Sequence, residues 1–180
     1  MKQEIRNRIL KLCEGQEWDW KYHIEQVVKH SLKLVEGLDA DKDICEVAAW
    51  LHDITKLEEG LDAPKHHITG SERAVEILKE YDADPDFIEK VRHCVISHSC
   101  KEGYMPETKE AKILASADAM SHFDCFIQFN YLVFSIWNLS QDDGKAWLIK
   151  KYKKTWNKML PEAQELVKEK RDAIDLILDT

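Results

Sequence analysis

No uninterrupted apolar run in the chain is long enough to cross a membrane. The most apolar stretch, Phe123 to Leu139, carries Asp124, Gln128, Asn130 and Asn138, so it reads as a buried helix. The first eight residues alternate charge with apolar side chains and lack a secretory apolar region, which leads us to expect a cytoplasmic protein. Cysteine pairing is missing too. Cys13, Cys45, Cys94, Cys100 and Cys125 form no C-x-x-C pair, and one would be left over in any fully paired scheme. The simplest reading is of small buried hydrophobes in a reducing compartment, with a thiolate metal site disfavoured on spacing. Basic residues are in deficit, 26 against 34 acidic, and the net charge of -8 speaks against a long nucleic-acid groove.

One segment opposes that acidity. Lys145 to Lys158 holds six lysines and no acidic residue, with Trp147 and Trp156 among them. The simpler account is a solvated helix face with its aromatic anchors turned inward. The sharper one is a basic rim that guides a small anionic substrate toward a site. Trp137, Trp147 and Trp156 are open to three readings: core packing, which is the simplest, a substrate pocket, or a homodimer contact.

At 180 residues, 44% of them hydrophobic and 33% charged, the chain suits one domain with a full core. Alternating strand patterns, internal repeats and low-complexity tracts are lacking, and apolar positions recur at helical spacing instead. Ile5, Ile9 and Leu12 mark a first helix ending at Gly15. Ile24 to Val35 mark a second ending at Gly37. Ile44, Val47, Ala48 and Leu51 mark a third, entered from the Asp39/Asp41 region because Asp is a favoured N-cap. Further helices run through Ala74 to Leu78, from Asp84-Pro85 through Val95 to His98, through Ala111 to Ala117, from Phe126 to Trp137, from Lys145, and after Pro161. The expected fold is an all-α, single-domain bundle with short connections. Only residues 54–69, with Gly60 and Pro64, look long and irregular enough to form a functional loop.

Within this pattern His52 and Asp53 stand side by side where the third helix is about to end. That position lets two neighbouring side chains converge, which neighbours about 100° apart in mid-helix do not readily do. His23 begins the stripe of Val27 and Leu34, and His30 falls near the same stripe. Asp118 lies one turn past Leu114 among Ala115, Ala117 and Ala119. A carboxylate there is costly unless it is paired, hydrogen-bonded or coordinated, and capping of a neighbouring helix is an equal alternative on spacing alone. His98 shares the stripe of Ile88, Val91 and Val95, and His67 aligns with Gly70, Ala74 and Leu78. His67 and His98 are therefore expected to point inward, and His66 and His93 outward. A lone histidine on an apolar face is usually an ordinary core residue; several on converging faces beside two inward acids strain that explanation.

The ordered set His23, His52-Asp53, His67, His98 and Asp118 resembles the pattern of the HD-domain superfamily of metal-dependent phosphohydrolases. Leu51-His52-Asp53-Ile54-Thr55-Lys56 resembles its doublet and lysine, with Thr55 where a glycine is common. His66-His67-Ile68-Thr69-Gly70 resembles its middle histidine motif, and Ala115-Ser116-Ala117-Asp118 its last aspartate. The likeness covers roughly Tyr22 to Phe123, so 22–123 is expected to be a metal-binding core and 124–180 C-terminal helices that complete the bundle.

This resemblance implies that His23, His52, Asp53 and Asp118 bind one divalent ion, drawn from Mn, Fe, Co, Ni, Zn or Mg. A second ion would be bridged by Asp53 and held by His67 and His98. With one ion only, those two histidines would contact phosphate and protonate a leaving group. Lys56 would neutralise a phosphate oxygen, and His122 would support Asp118 without being a ligand. The implied activity is hydrolysis of a small phosphate ester or phosphoanhydride by metal-activated water, a nucleotide being the leading case. The alternatives are a two-iron oxygenase, which the same superfamily contains, and a non-catalytic ligand-binding module. The expected partner is a small phosphorylated substrate, with no membrane and no long nucleic acid.

Overall fold

A computed structural model describes residues 1–16, 20–60, 63 and 65–178. Among these residues all regular secondary structure is helical, apart from one isolated bridge between Lys101 and Tyr104. The helices are α1 (Lys2–Leu12), α2 (Trp20–Leu38), α3 (Lys42–Leu51), α4 (Ile54–Glu59), α5 (His66–Glu80), α6 (Pro85–Ser97), α7 (Lys109–Asp124), α8 (Phe126–Tyr131), α9 (Gln141–Asn157) and α10 (Pro161–Leu178). None of them is long and apolar enough to cross a membrane.

Several helix starts follow directly from the residue types. Asp41 caps α3 by accepting from the backbone N–H groups of Asp43 and Ile44, and Asp84 caps α6 from Asp86 and Phe87 with Pro85 in its first turn. The Lys-rich segment is one regular helix, α9, capped by Ser140, whose hydroxyl accepts from the Asp143 N–H. α7 is the central element: every residue from Ile113 to Phe123 is buried. Its small residues allow close approach on all sides, and it packs against α2, α3, α6, α9 and α10.

Two sequence expectations need correction. The 54–69 segment is not a long loop, because Ile54–Glu59 is helical and α5 starts at His66. Ile54, Thr55 and Leu57 are buried against the core, and that burial holds the short helix in place. Gly60 ends α4 with φ 101°, a left-handed conformation that favours glycine. Only 60–65 separates the two helices, and Pro64 lies outside the described residues. The helix expected from Phe126 to Trp137 is α8 continued by a π-helical turn over Leu132–Ile136, closed where the Trp137 N–H donates to the Leu132 carbonyl.

The cysteines behave as hydrophobes. Cys45, Cys94 and Cys125 are buried, and burial pushes the Cys45 thiol up to about 12. Trp147 packs edge-on against Trp137, and Trp156 against Phe123.

Candidate metal centre

His52 and Asp53 occupy the break between α3 and α4, and both are fully buried. Around them stand His23 near the start of α2, Asp118 in mid-α7, His98 just past the end of α6, and His66 as the first residue of α5. Hydrogen bonds on the far side of each ring fix which nitrogen faces inward. The Nδ1 of His52 donates to the Ala49 carbonyl at 2.8 Å, that of His98 to Val95 at 2.6 Å, and that of His66 to Ala63 at 3.1 Å. The Ser121 hydroxyl donates to the Asp118 carbonyl, so its oxygen is left to accept from His23 Nδ1 at 3.0 Å. A neutral imidazole that donates from Nδ1 carries a lone pair on Nε2. All four Nε2 lone pairs therefore face the centre.

The inward atoms form two groups that meet at Asp53. His23 Nε2, His52 Nε2 and an Asp118 oxygen lie within 4.8 Å of one another, and so do Asp53, His66 and His98 atoms. Asp53 Oδ2 is 3.6 Å from His23 Nε2 and 3.5 Å from His52 Nε2. Asp53 Oδ1 is 3.6 Å from His98 Nε2 and 3.8 Å from His66 Nε2, and no hydrogen bond satisfies it. The Nε2 atoms of His23 and His52 are 3.2 Å apart. Two lone pairs at that distance, with buried carboxylate oxygens beside them, repel unless a cation lies between. The donor set of two imidazoles and two carboxylates thus fits a divalent ion, and it suits borderline metals better than calcium.

Local electrostatics keep these groups in ligand form. Burial lowers His52 to about 3, against the pull of Asp53, so its ring is neutral near pH 7. Burial alone would raise Asp53 and Asp118. The charge of Lys56 instead holds Asp53 well below the usual carboxylate range, and that of Lys158 does the same for Asp118. The ion pairs are close: Lys56 Nζ to Asp53 Oδ2 at 2.9 Å, and Lys158 Nζ to Asp118 Oδ2 at 2.5 Å.

His67 points inward as the periodicity expects but not to the centre, whereas the outward reading of His66 does not hold. His67 is buried, yet its ring packs edge-on against Tyr104 at 5.4 Å, its Nδ1 has no hydrogen-bond partner, and it belongs to neither group. His66, expected to face outward, is the residue that approaches Asp53 and His98. Ser99 joins them: its hydroxyl lies 3.1 Å from His98 Nε2 and 3.2 Å from His66 Nε2 and has one proton to offer the pair. His122 lies 3.4 Å from Asp118, outside both groups, and His30 bonds Asp124 at 2.5 Å, away from the centre.

Of the cations that cover the site, Lys56 and the basic segment were expected from the sequence, whereas Lys101 was not. The centre opens into a pocket of about 220 Å³ lined by Lys56, Lys101, Lys151, Lys154 and Lys158, with Asp118, His66 and His98 on its inner wall. Three of these lysines come from the basic segment, at positions i, i+3 and i+7, one face of α9 and the turn that follows it. Lys145, Lys150 and Lys153 are exposed. The segment is thus divided, half of its lysines on the exposed face of the helix and half lining the pocket. Burial and the charges of Lys158 and Lys56 bring Lys151 down to about 7, against the pull of Asp118.

Fold and site together define an all-helical domain built round a buried His/Asp cluster. The HD domain profile matches residues 20–122, more than half of the chain, and the chain belongs to the HD-domain family. In sequence it is 30% identical over 133 residues to a tRNA (cytidine(56)-2'-O)-methyltransferase of Picrophilus torridus, covering 68% of this chain and 37% of that protein. It thus spans little more than a third of that relative's length. In structure it resembles the Lin1889 protein of Listeria innocua (TM-score 0.71, 19% identity, 99% and 94% of the two chains). Bacillus subtilis YpgQ in complex with ADP is similar (0.69, 19%, 98% and 94%), as is a predicted HD superfamily hydrolase from an uncultured Thermotogales bacterium (0.59, 20%, 93% and 91%). At these identities the likeness is one of fold.

Proposed function

We propose that the protein is a metal-dependent phosphohydrolase acting on a small phosphate ester or phosphoanhydride, a nucleotide being the leading case. The observation that carries this reading is the position of Asp53, which turns one oxygen to each of two groups of imidazole lone pairs at the floor of a lysine-lined pocket. His23, His52, Asp53 and Asp118 would hold one divalent ion. Asp53, His66 and His98 form the second half-site, with His66 in the part expected of His67. When bound, a divalent cation lowers the pKa of coordinated water and polarises a phosphoryl oxygen.

The chain's own groups divide the remaining work. Lys56 and Lys158 keep Asp53 and Asp118 ionised and aimed, and Lys101, Lys151 and Lys154 offer positive charge to phosphate oxygens. His66 and His98 present Nε2 as acceptors because Nδ1 already donates to a carbonyl. Burial also lowers His66 to about 4. The geometry therefore supports ligation or acceptance of a proton from water over protonation of a leaving group. The ADP bound to YpgQ supports a nucleotide as the substrate class.

The test starts from protein purified without chelator, analysed for metals, and screened with nucleotides and sugar phosphates in several metals. His52→Ala and Asp53→Asn are expected to lose bound metal and activity while circular dichroism stays helical. Hydrolysis that survives complete, verified metal removal would reject the assignment.

A further inference from the structure

We propose that the pocket recognises a condensed phosphate chain, two or more linked phosphates, and takes no account of the base or sugar attached to it. This rests on the hydrolase reading for its place at the site but stands on separate observations. Five lysines and a single carboxylate, Asp118, line the pocket of a protein whose net charge is -8. Lys56 and Lys158 are matched by Asp53 and Asp118, whereas Lys101, Lys151 and Lys154 make no close ion pair among the described residues, Asp118 acting on Lys151 only from a distance. Lys101, Lys154 and Lys151, the last only partly charged near pH 7, are crowded into one small space and repel each other. A monoester offers about two charges to relieve this, and a di- or triphosphate offers three or four.

Room and surface decide against the base. About 220 Å³ falls below the roughly 300–1,000 Å³ of pockets that enclose a drug-sized ligand, so a nucleoside is left outside. Apart from histidine rings, no aromatic side chain lines the pocket among the described residues, which removes the usual stacking platform. The neighbouring cleft has Trp20 and Phe129, but it holds only about 90 Å³. Lysines already sit over those rings, Lys56 Nζ at 5.8 Å from Trp20 and Lys151 Nζ at 4.8 Å from Phe129. Lys151 and Lys154 lie beyond residue 122, where the family match ends, so this selectivity would belong to the C-terminal helices.

Calorimetric titration of chelator-treated protein with inorganic tripolyphosphate, ATP, CTP and AMP tests the proposal without relying on turnover. We expect the first three to bind within about threefold of one another and AMP at least about tenfold more weakly, since each charge-assisted contact is worth about a factor of ten. Lys154→Gln, at an exposed position that should not disturb folding, is expected to weaken tripolyphosphate about tenfold and to leave AMP nearly unchanged. Equal affinity for AMP, a tenfold preference between ATP and CTP, or an indifferent Lys154→Gln overturns it. Tripolyphosphate binding without hydrolysis of any phosphate compound in any metal would leave the clamp standing and remove the hydrolase reading. Monoester hydrolysis without tripolyphosphate binding would do the reverse.

Discussion

His66 and His67 are neighbours in the chain but have different surroundings. The first presents a lone pair toward Asp53 and His98, and the second packs against Tyr104. His66→Ala and His98→Ala are accordingly expected to lower kcat by a similar factor, roughly a hundredfold or more. His67→Ala should lower it by less than about tenfold and show itself mainly as lost stability. Steady-state kinetics on whichever substrate the screen identifies, beside a thermal melt, separates the two. A larger kcat loss in His67→Ala than in His66→Ala would reverse the assignment. The sequence offered no means of choosing, because a helical wheel sorts side chains about an axis. His66 opens α5, and what brings it to the site is the abutment of that helix end on the turn just past α6, where His98 and Ser99 lie. His23, His52, Asp53 and Asp118 were legible because each sits on, or just after, a helical stripe whose other members are apolar. The lysine at 158 was not legible as a partner of Asp118, since 40 residues and two turns of chain separate them.

At the scale of elements, α9 carries the lysines and its first turn fixes where they point. Gly144 is the contact that sets its approach. A Cβ built there would lie 2.2 Å from the Phe134 ring and 2.8 Å from a Val133 methyl, so the helix rests directly on the π-helical turn. Gly144→Ala should reduce the unfolding free energy by about 1–3 kcal/mol despite the better helix propensity of alanine, because overpacking outweighs the backbone gain. Urea denaturation measures it, and an unchanged or increased stability would show that α9 can move away without loss. Periodicity announced α9 as a helix but not the irregular turn beneath it. The extra backbone residue in a π turn leaves no mark on the spacing of Phe126 to Trp137.

Across the whole molecule the helical class was legible from spacing, whereas the central place of α7 and the docking of the last helix were not. That docking depends on Asp124 at the end of α7. It bonds His30 of α2 at 2.5 Å and pairs with Lys170 of α10, which ties the C-terminal helix to α2 and α7. The Asp124 side chain is only 6% exposed. Burial pushes its carboxyl up, but the His30 and Lys170 hydrogen bonds prevail and hold it below its ordinary value. A carboxyl depressed in the folded state contributes stability that is fully present above its unfolded value, near pH 4, and that is lost as pH falls through the folded one. Asp124→Asn should therefore lower the unfolding free energy by about 1–3 kcal/mol at pH 7. The gap from wild type should close progressively as pH drops below about 4, where the native carboxyl becomes protonated as well. Denaturation of both proteins across that range checks the sign directly. A gap that is constant with pH would mean that Asp124 stabilises through its shape alone, and one that widens in acid would contradict the pairing with His30 and Lys170.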